Sequence, residues 1–289
     1  MLRLSLRNVW ARKGRLLLTA VAVIAGTAFL SGVFVFTDTI KGSFHEMFAN
    51  AFAETDAYVR SSNVVEGQFG DERRDRIDEA LVDRVRSVPG VAEAHGDITG
   101  TATVTFDGEV LGQDGPPKFA GVWIESDASP WRIVDGTAPG DDGVVLDRMS
   151  SKAAGVVVGD TVTITSLGAP RQFTVSGIAT FAGNDSSGGA AWSLYTLPTA
   201  QEFLVGDSTR IDAVVVRGDG SLDQAALASS IEGSIGDPEI EVLTGQEITE
   251  ENQTSVERAL GFITIFLRSE EHTSELQSLR HLVCRLLLE

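Results

Sequence analysis

Residues whose side chains could do chemistry are few in this sequence and lie far apart. Two of its four histidines, His45 and His95, stand alone, without a second His or Cys at the spacing of metal ligands. The other two histidines and the single cysteine, Cys284, lie in the last 22 residues. The sequence therefore predicts no metal site, and it predicts no disulfide in the part of the chain before those residues.

Several loops resemble ligand sites but lack the complete patterns. The chain has neither a GxxxxGK[ST] phosphate loop nor a Gly-x-Ser-x-Gly nucleophile motif. Residues 141–143 and 184–189 lack the alternating oxygen ligands of a calcium loop, so we interpret both as turns, with calcium loops as the alternative. Trp123, Trp131 and Trp192 are predicted to be core or interface aromatics rather than a ligand platform. We predict no catalytic, cofactor-binding or metal-binding residue, no cofactor, and no enzyme.

Charge is distributed unevenly along the chain. Residues 1–36 contain five basic residues and no acidic residue, whereas residues 37–256 contain 36 acidic and 14 basic residues. Phosphate binding needs a basic patch, so the acidic segment argues against a nucleic acid as a partner. It also argues against a domain that lies flat on an anionic lipid surface.

The longest apolar stretch runs from Leu16 to Phe36 and contains 21 residues without a charged side chain. A helix of that length covers the roughly 30 Å hydrocarbon core of a bilayer and satisfies its own backbone polar groups there. We assign residues 16–37 to transmembrane helix 1, in contact with the lipid bilayer. A cleaved signal peptide is the alternative. Its apolar core is usually about 7–15 residues long, and the nearest small-residue sites, within residues 49–53, lie far beyond this stretch.

The residues that precede this helix predict its orientation. They include five basic residues, Arg3, Arg7, Arg12, Lys13 and Arg15. Positive flanks stay on the cytoplasmic side, so we expect the N-terminus in the cytoplasm of a bacterial cell and the main domain outside its plasma membrane. We predict an interfacial helix at residues 1–15, because Trp10 shares a helical face with other apolar residues. A basic tail without fixed structure is the alternative.

Residues 38–256 predict an α+β extracellular domain carried on the N-terminal transmembrane helix. Two β-α-β units flank a β-rich subdomain at about residues 107–206. In the first unit we predict a helix at Arg73–Val88 and one long alternating strand at Ala92–Phe106. Strands are expected in the subdomain at Phe119–Ile124, Gly143–Leu146, Thr161–Thr165, Gln172–Phe181 and Trp192–Tyr195.

The chain changes character near its end. A helix predicted from Gln246 becomes apolar, and we assign residues 257–267 to the start of a truncated transmembrane helix 2, since nine apolar residues cannot span a bilayer. Residues 268–289 lack Gly, Ala and Asp, and Arg268–Ser278 resembles the translation of a sequencing-library adapter. We expect residues 268–289 to be an artefactual tail, with a genuine amphipathic cytoplasmic tail as the alternative.

Five segments together resemble the FtsX/MacB-type permeases of ABC transporters, over residues 1–267. The first resembles the first membrane segment of that family, the next three its extracellular core domain, and the last the entry into its second span. The segments are LRNVWARKGRLLLTAVAVIAGTAFLSGVFVFTDTI (Leu6–Ile40), AGVVVGDTVTI (Ala154–Ile164), RQFTVSGIA (Arg171–Ala179), YTLPTAQEFLVG (Tyr195–Gly206) and ERALGFITIFL (Glu257–Leu267).

The resemblance implies a permease subunit that works with a cytoplasmic ABC ATPase subunit and with a second permease half or copy. ATP-driven dimerisation of the ATPase is then expected to move the membrane helices and the extracellular domain, so that a lipid, peptide or drug is exported or extracted. Thr37–Phe52 and Gln246–Leu260 would be the stalk helices. The later spans and the cytoplasmic loop of the family do not occur in these 289 residues.

Two other classes of protein compete with this interpretation. A single-pass, membrane-anchored extracellular sensor or binding module would explain the anchor and the acidic domain equally well. It would not explain a second long helix that turns apolar at Ala259. An anchored extracellular hydrolase lacks a nucleophile, a base and a metal site in the sequence.

Overall fold

The computed structural model describes residues 13–66, 72–112 and 118–258. The described helices are α1 (Lys13–Ala51), α2 (Ala80–Arg86), α3 (Arg148–Ala154), α4 (Leu197–Ala200), α5 (Gln224–Ile235) and α6 (residues 245–258), and a short π-helix (Gln201–Val205) follows α4. The described strands are β1 (Ala57–Ser61), β2 (Val64–Glu66), β3 (Glu72–Arg74), β4 (Ile77–Asp78), β5 (Val91–Asp97), β6 (Thr99–Thr101), β7 (Thr103–Phe106), β8 (Glu109–Val110), β9 (Lys118–Val122), β10 (Trp131–Gly136), β11 (Gly143–Asp147), β12 (Thr161–Thr165), β13 (Arg171–Phe181), β14 (Ala191–Tyr195), β15 (Arg210–Ile211), β16 (Ala213–Gly218) and β17 (Ile240–Thr244).

The chain divides into two units, which we describe separately. The helical unit consists of residues 1–45 and 254–289, and the folded unit of residues 46–253. In the helical unit, α1 is long and apolar enough to cross a membrane, by length and composition, and the side chains that the structure describes between residues 17 and 29 are exposed. The hydroxyl of Thr27 donates to the Val23 carbonyl at 2.9 Å, so this polar group is satisfied within the helix.

The N- and C-terminal parts of the folded unit form one four-stranded sheet. Its order is β17-β1-β16-β5, and every neighbouring pair is antiparallel. Numbering only these four strands along the chain gives the order 4-1-3-2, which is the split β-α-β or ferredoxin-like arrangement. The crossover helices α2 and α5 contact each other and bury Val85 and Ile231. The two predicted β-α-β units are therefore confirmed, and they share a single sheet.

The β-rich subdomain is inserted between β5 and β16. It contains a nine-stranded sheet of order β6-β9-β14-β11-β13-β12-β7-β8, with β10 paired to β13. Phe173, Tyr195 and Phe203 pack edge to face in its core, with ring centroids 5.2–5.9 Å apart. Trp131 and Trp192 form a second aromatic group, with ring centroids 5.5 Å apart, as predicted for core aromatics.

Two predictions in the first β-α-β unit are wrong. The helix predicted at Arg73–Val88 begins only at Ala80, because Glu72–Arg74 pairs with Val64–Glu66 as a hairpin. The single strand predicted at Ala92–Phe106 is three strands: β5 belongs to the four-stranded sheet, and β6 and β7 belong to the nine-stranded sheet. Alternation of apolar side chains continues across a change of sheet, so the periodicity could not locate the break.

The helix predictions at the two ends of the domain are confirmed where they are described. We predicted that α1 continues to Phe52, and it ends at Ala51. The helix predicted from Gln246 begins at residue 245 and is described as far as residue 258. Three predicted segments lie outside the described residues. They are residues 1–12 of the interfacial helix, residues 259–267 of the second span, and the tail at residues 268–289.

Candidate functional site

The residues predicted to set topology lie at the start of the chain. Arg3, Arg7 and Arg12 fall outside the described residues, and Lys13 and Arg15 lie in the first turn of α1. Their effect on orientation stays a prediction. The structure brings together a different set of residues, at the place where the chain enters and leaves the folded unit.

The entry and exit segments of the folded unit contact each other through their backbones. After α1, the Asp56 amide donates to the Val216 carbonyl at 2.9 Å, and one carboxylate oxygen of Asp56 accepts from the Gly218 amide at 2.7 Å. At the exit, the Gly245 amide donates to the Asp56 carbonyl at 3.2 Å. A Cβ atom on Gly245 would lie 1.7 Å from the Thr55 carbonyl oxygen, so only glycine permits this approach. We call this set of contacts the helix junction.

A charged cluster ties the exit helix α6 to the four-stranded sheet. Arg60 on β1 donates to both carboxylate oxygens of Glu251 on α6, at 3.0 and 2.5 Å. Its Nε donates to Glu241 on β17 at 2.5 Å, and Arg74 lies 2.6 Å from the same carboxylate. The Arg60 side chain is only 9% exposed, so its bidentate ion pair with Glu251 and its single hydrogen bond to Glu241 form at a largely desolvated guanidinium.

The electrostatics of this cluster favour the charged form of Arg60. Burial acts to lower the pKa of Arg60, but hydrogen bonds and charges from Glu251 and Glu241 outweigh it and raise that pKa above its ordinary value. The arrangement holds a helix in place and offers no nucleophile, base or vacant ligand set. Its hydrogen bonds attach α6 to the four-stranded sheet.

This cluster could not be predicted from a sequence motif. Arg60 and Glu251 are 191 positions apart, and neither occurs in a motif. One feature of β1 did indicate an ion pair. Arg60 is the charged residue of this strand (AYVRS), and a charged side chain that is buried in a sheet needs a partner.

The predicted lone histidines have acidic neighbours. In the helical unit, His45 Nε2 lies 3.4 Å from Glu257 Oε1. In the folded unit, His95 Nε2 lies 3.2 Å from Glu93, which also accepts from Ser126 and Arg217. Among the described residues, no three His, Cys, Asp or Glu side chains are grouped so that they could hold a metal ion.

Two acidic residues lie where the chain passes between the sheets. Asp97 ends β5, and Asp212 precedes β16; the Asp212 amide donates to the Asp97 carbonyl at 2.9 Å. The Asp212 carboxylate accepts from Arg76 Nε at 2.9 Å and from the Thr99 amide at 2.8 Å. Burial, followed by the charge of Asp212, raises the pKa of Asp97 to about 6.

Comparison with known families places this geometry in context. A family model described as the MacB-like periplasmic core domain matches residues 16–234, which is most of the chain. The chain belongs to that family. It therefore carries the periplasmic or extracellular domain of an FtsX/MacB-type ABC transporter permease, a transporter component, as the sequence segments predicted.

One solved structure agrees with this assignment at the level of the fold. The periplasmic region of MacB from Actinobacillus actinomycetemcomitans superposes with a TM-score of 0.51 at 13% identity, over 70% of this chain and 94% of that one. The extracellular domain of the ABC-type transporter YknZ from Gram-positive bacteria gives a TM-score of 0.44 at 15% identity, over 64% and 98% of the two chains. A search of curated proteins finds no significant match.

The family match and the apolar helix together indicate on which side of the membrane the MacB-like domain lies. Its relatives are periplasmic or extracellular domains, and here it follows an apolar helix of membrane-spanning length. The chain is therefore a membrane-anchored domain outside the cytoplasm.

Proposed function

We propose that this chain is a permease subunit that couples ATP hydrolysis in a cytoplasmic ABC ATPase to movement of its extracellular domain. In this proposal the movement exports or extracts a lipid, peptide or drug, and a second permease half or copy completes the transporter. One observation carries the proposal: both long helices of the chain are joined to the same four-stranded sheet, α1 through the helix junction and α6 through Arg60 and Glu251.

The attachment has the properties that transmission of movement requires. Thr55 is fully buried, and Gly245 lies against the Thr55 carbonyl. The backbones of the entry and exit segments are therefore in direct contact. Two charge-assisted hydrogen bonds join Arg60 to Glu251 and resist separation of α6 from the sheet more strongly than neutral contacts would. In this proposal, a shift of the helical segments that belong to the folded unit, residues 46–51 and 245–253, is transmitted to the sheet.

The orientation of the chain belongs to the same proposal. The five basic residues before the apolar helix support an N-terminus in the cytoplasm, where an ATPase would act.

A first experiment is to read the genomic locus independently from Glu257 onward. We expect the reading frame to continue beyond Leu267 through further apolar spans, beside a gene for an ABC ATPase. If the frame ends at Glu289 instead, the chain has a single anchor. The sensor or binding-module interpretation would then replace the permease proposal.

A second experiment tests the coupling itself. Ser43→Cys and Ser255→Cys place one spin label on each long helix within the helical unit. In the complete transporter, reconstituted with its ATPase, we expect the distance between the labels to change on addition of ATP. An ATPase variant that cannot hydrolyse ATP should not cycle between the two distances. A single, ATP-independent distance would contradict the proposed coupling.

A further inference from the structure

A groove of about 630 Å³ lies in the folded unit beside strand β5. Its walls come from α2, from the edge of β5 and from the segment that follows β9, and they include Asp83, His95, Gly96, Trp123 and Glu125. We call it the β5 groove. It is separate from the helix junction, and neither the two long helices α1 and α6 nor the charged cluster of Arg60 contributes to its lining.

Strand β5 presents an open edge to this groove. It is the last strand of the four-stranded sheet, and its other edge pairs with β16. The Ala94 carbonyl points away from β16, since it accepts from Arg86 Nη2 at 2.8 Å. Backbone groups alternate in direction along a strand, so the N–H and C=O of Gly96 point to the same open edge. An edge of this kind is a template for one more strand.

The charged side chains that line the groove indicate which class of ligand it could bind. Four carboxylates line it, those of Asp78, Glu79, Asp83 and Glu125. Among the described residues, Arg86 is the only Lys or Arg in the lining, and its guanidinium already donates to Asp83 at 2.7 Å and to the Ala94 carbonyl at 2.8 Å. The groove therefore has an excess of negative charge, which is complementary to a basic ligand.

Trp123 adds an aromatic surface to the lining of the groove. Its indole Nε1 is buried, and within the described part of the chain it has no acceptor. Because this nitrogen is buried, a ligand in the groove would contact the indole ring rather than its N–H group. The ring can also contact a Lys or Arg side chain, because the face of an indole attracts cations.

We propose that the β5 groove binds an extended basic peptide segment, which adds a strand to the four-stranded sheet along the edge at Gly96. Main-chain hydrogen bonds hold the segment, and its basic side chains contact the carboxylates at the groove rim. This proposal goes beyond the transport mechanism, since it requires only the folded domain to bind.

The test uses the full chain in nanodiscs of zwitterionic phosphatidylcholine, with empty nanodiscs as the background. The probe is a fluorescent octapeptide of alternating Lys and Val, followed by anisotropy. Two matched peptides accompany it: one replaces Lys with Glu, and one carries N-methyl groups on the amides of every second residue. We expect the Lys peptide to bind and the Glu peptide to bind at least tenfold more weakly. The N-methyl peptide keeps the charge and loses main-chain donors, so we also expect it to lose about tenfold or more in affinity.

Variants of the protein locate the site. Glu125→Gln removes one exposed carboxylate of the groove and should weaken the Lys peptide by about two- to fivefold, as for one exposed ion pair. Glu232→Gln removes an exposed carboxylate on α5, outside the groove, and should leave binding unchanged. The proposal is overturned if the Lys and N-methyl peptides bind equally, if the Glu peptide binds as well as the Lys peptide, or if the two variants have the same effect.

Discussion

Asp97 is a carboxyl group at the passage from one sheet to the other, and its folded-state pKa of about 6 lies above the ordinary value of 3.8. The folded state therefore binds the proton more tightly than the unfolded state. Its contribution to stability is complete below about pH 4 and is lost as the pH rises through about 6. At neutral pH the group is a cost, because a charged carboxylate is held in a desolvated position near Asp212.

We expect Asp97→Asn to remove this pH-dependent cost. The free energy of unfolding of the variant, relative to the parent, should rise by about 1–3 kcal/mol between pH 4 and pH 7. Denaturant unfolding, followed by tryptophan fluorescence at a series of pH values, measures this difference. Glu232→Gln, on an exposed helix face, is the control and should show no such slope. A difference for Asp97→Asn that is flat with pH would show that the pKa of this carboxyl is not raised in the folded state.

Asp147 is a fully buried carboxylate that caps α3. It accepts from the amides of Ser150 and Trp192, both at 2.8 Å, and from the Ser150 hydroxyl. Burial raises the pKa of Asp147, but these donors oppose that effect. The side chain thus joins α3 to strand β14 as well as capping the helix.

Replacement of Asp147 by alanine should leave those buried donors without an acceptor. We expect a loss of about 2–4 kcal/mol in the free energy of unfolding. Asp223 caps α5 through the Ala226 amide at 2.8 Å and is exposed, so Asp223→Ala should cost only about 1 kcal/mol. Equal losses for the two variants, measured by denaturant unfolding, would contradict the joining role of Asp147.

At the scale of elements, the attachment of α6 to the sheet depends on one carboxylate. Glu251→Ala removes both hydrogen bonds from Arg60 to α6 and leaves Glu241 as the main partner of that guanidinium. The expected loss is about 1–3 kcal/mol, concentrated in α6 rather than in the sheet core.

Hydrogen exchange measures this local effect. Backbone amides of residues 248–253 should exchange about tenfold faster or more in Glu251→Ala, whereas amides of β16 should keep their protection. Glu239→Ala, at an exposed position just before β17, is the matched control. If α6 exchanges no faster than in the parent, the cluster does not hold this helix, and the proposed transmission through it is contradicted.

Elements with strong local patterns could be predicted from the sequence. Subdomain strands such as Thr161–Thr165 and Trp192–Tyr195, and both long helices, agree with the structure to within a residue or two where described. The hairpin at Val64–Glu66 and Glu72–Arg74 could not be predicted, because strand pairing there overrides the helical spacing of the residues that follow. The strand Trp131–Gly136 was missed since it is largely exposed and lacks alternation.

At the scale of the whole molecule, the candidate site was predicted only in part. The two stalk helices were expected, but their attachment depends on contacts such as Arg60 to Glu251, which join residues 191 positions apart. Periodicity and motifs report neighbours within one element, whereas such contacts exist only after the four strands have taken their 4-1-3-2 order. The acidic composition of residues 37–256 has its clearest structural counterpart in the carboxylates of the β5 groove.

The orientation of the whole chain rests on the basic residues before α1, and it can be reversed by design. Replacement of Arg3, Arg7, Arg12, Lys13 and Arg15 by Gln leaves Lys41 as the nearest basic residue, on the other side of the apolar stretch. Since positive flanks stay in the cytoplasm, we expect a large part of the population to keep its folded domain inside the cell.

A single cysteine reports the outcome in intact cells. Leu167 is 70% exposed in the folded unit, so Leu167→Cys in a Cys284→Ser background reacts with a membrane-impermeant maleimide when the domain is outside. Labelling should be nearly complete in the parent and should fall to about half or less in the neutralised variant, recovering when the cells are permeabilised. Arg132→Gln with Lys152→Gln removes charge from the folded unit and should leave labelling unchanged. Full surface labelling of the neutralised variant would contradict the role of these five residues. The orientation of the chain would then have to depend on folding of the domain after its translocation.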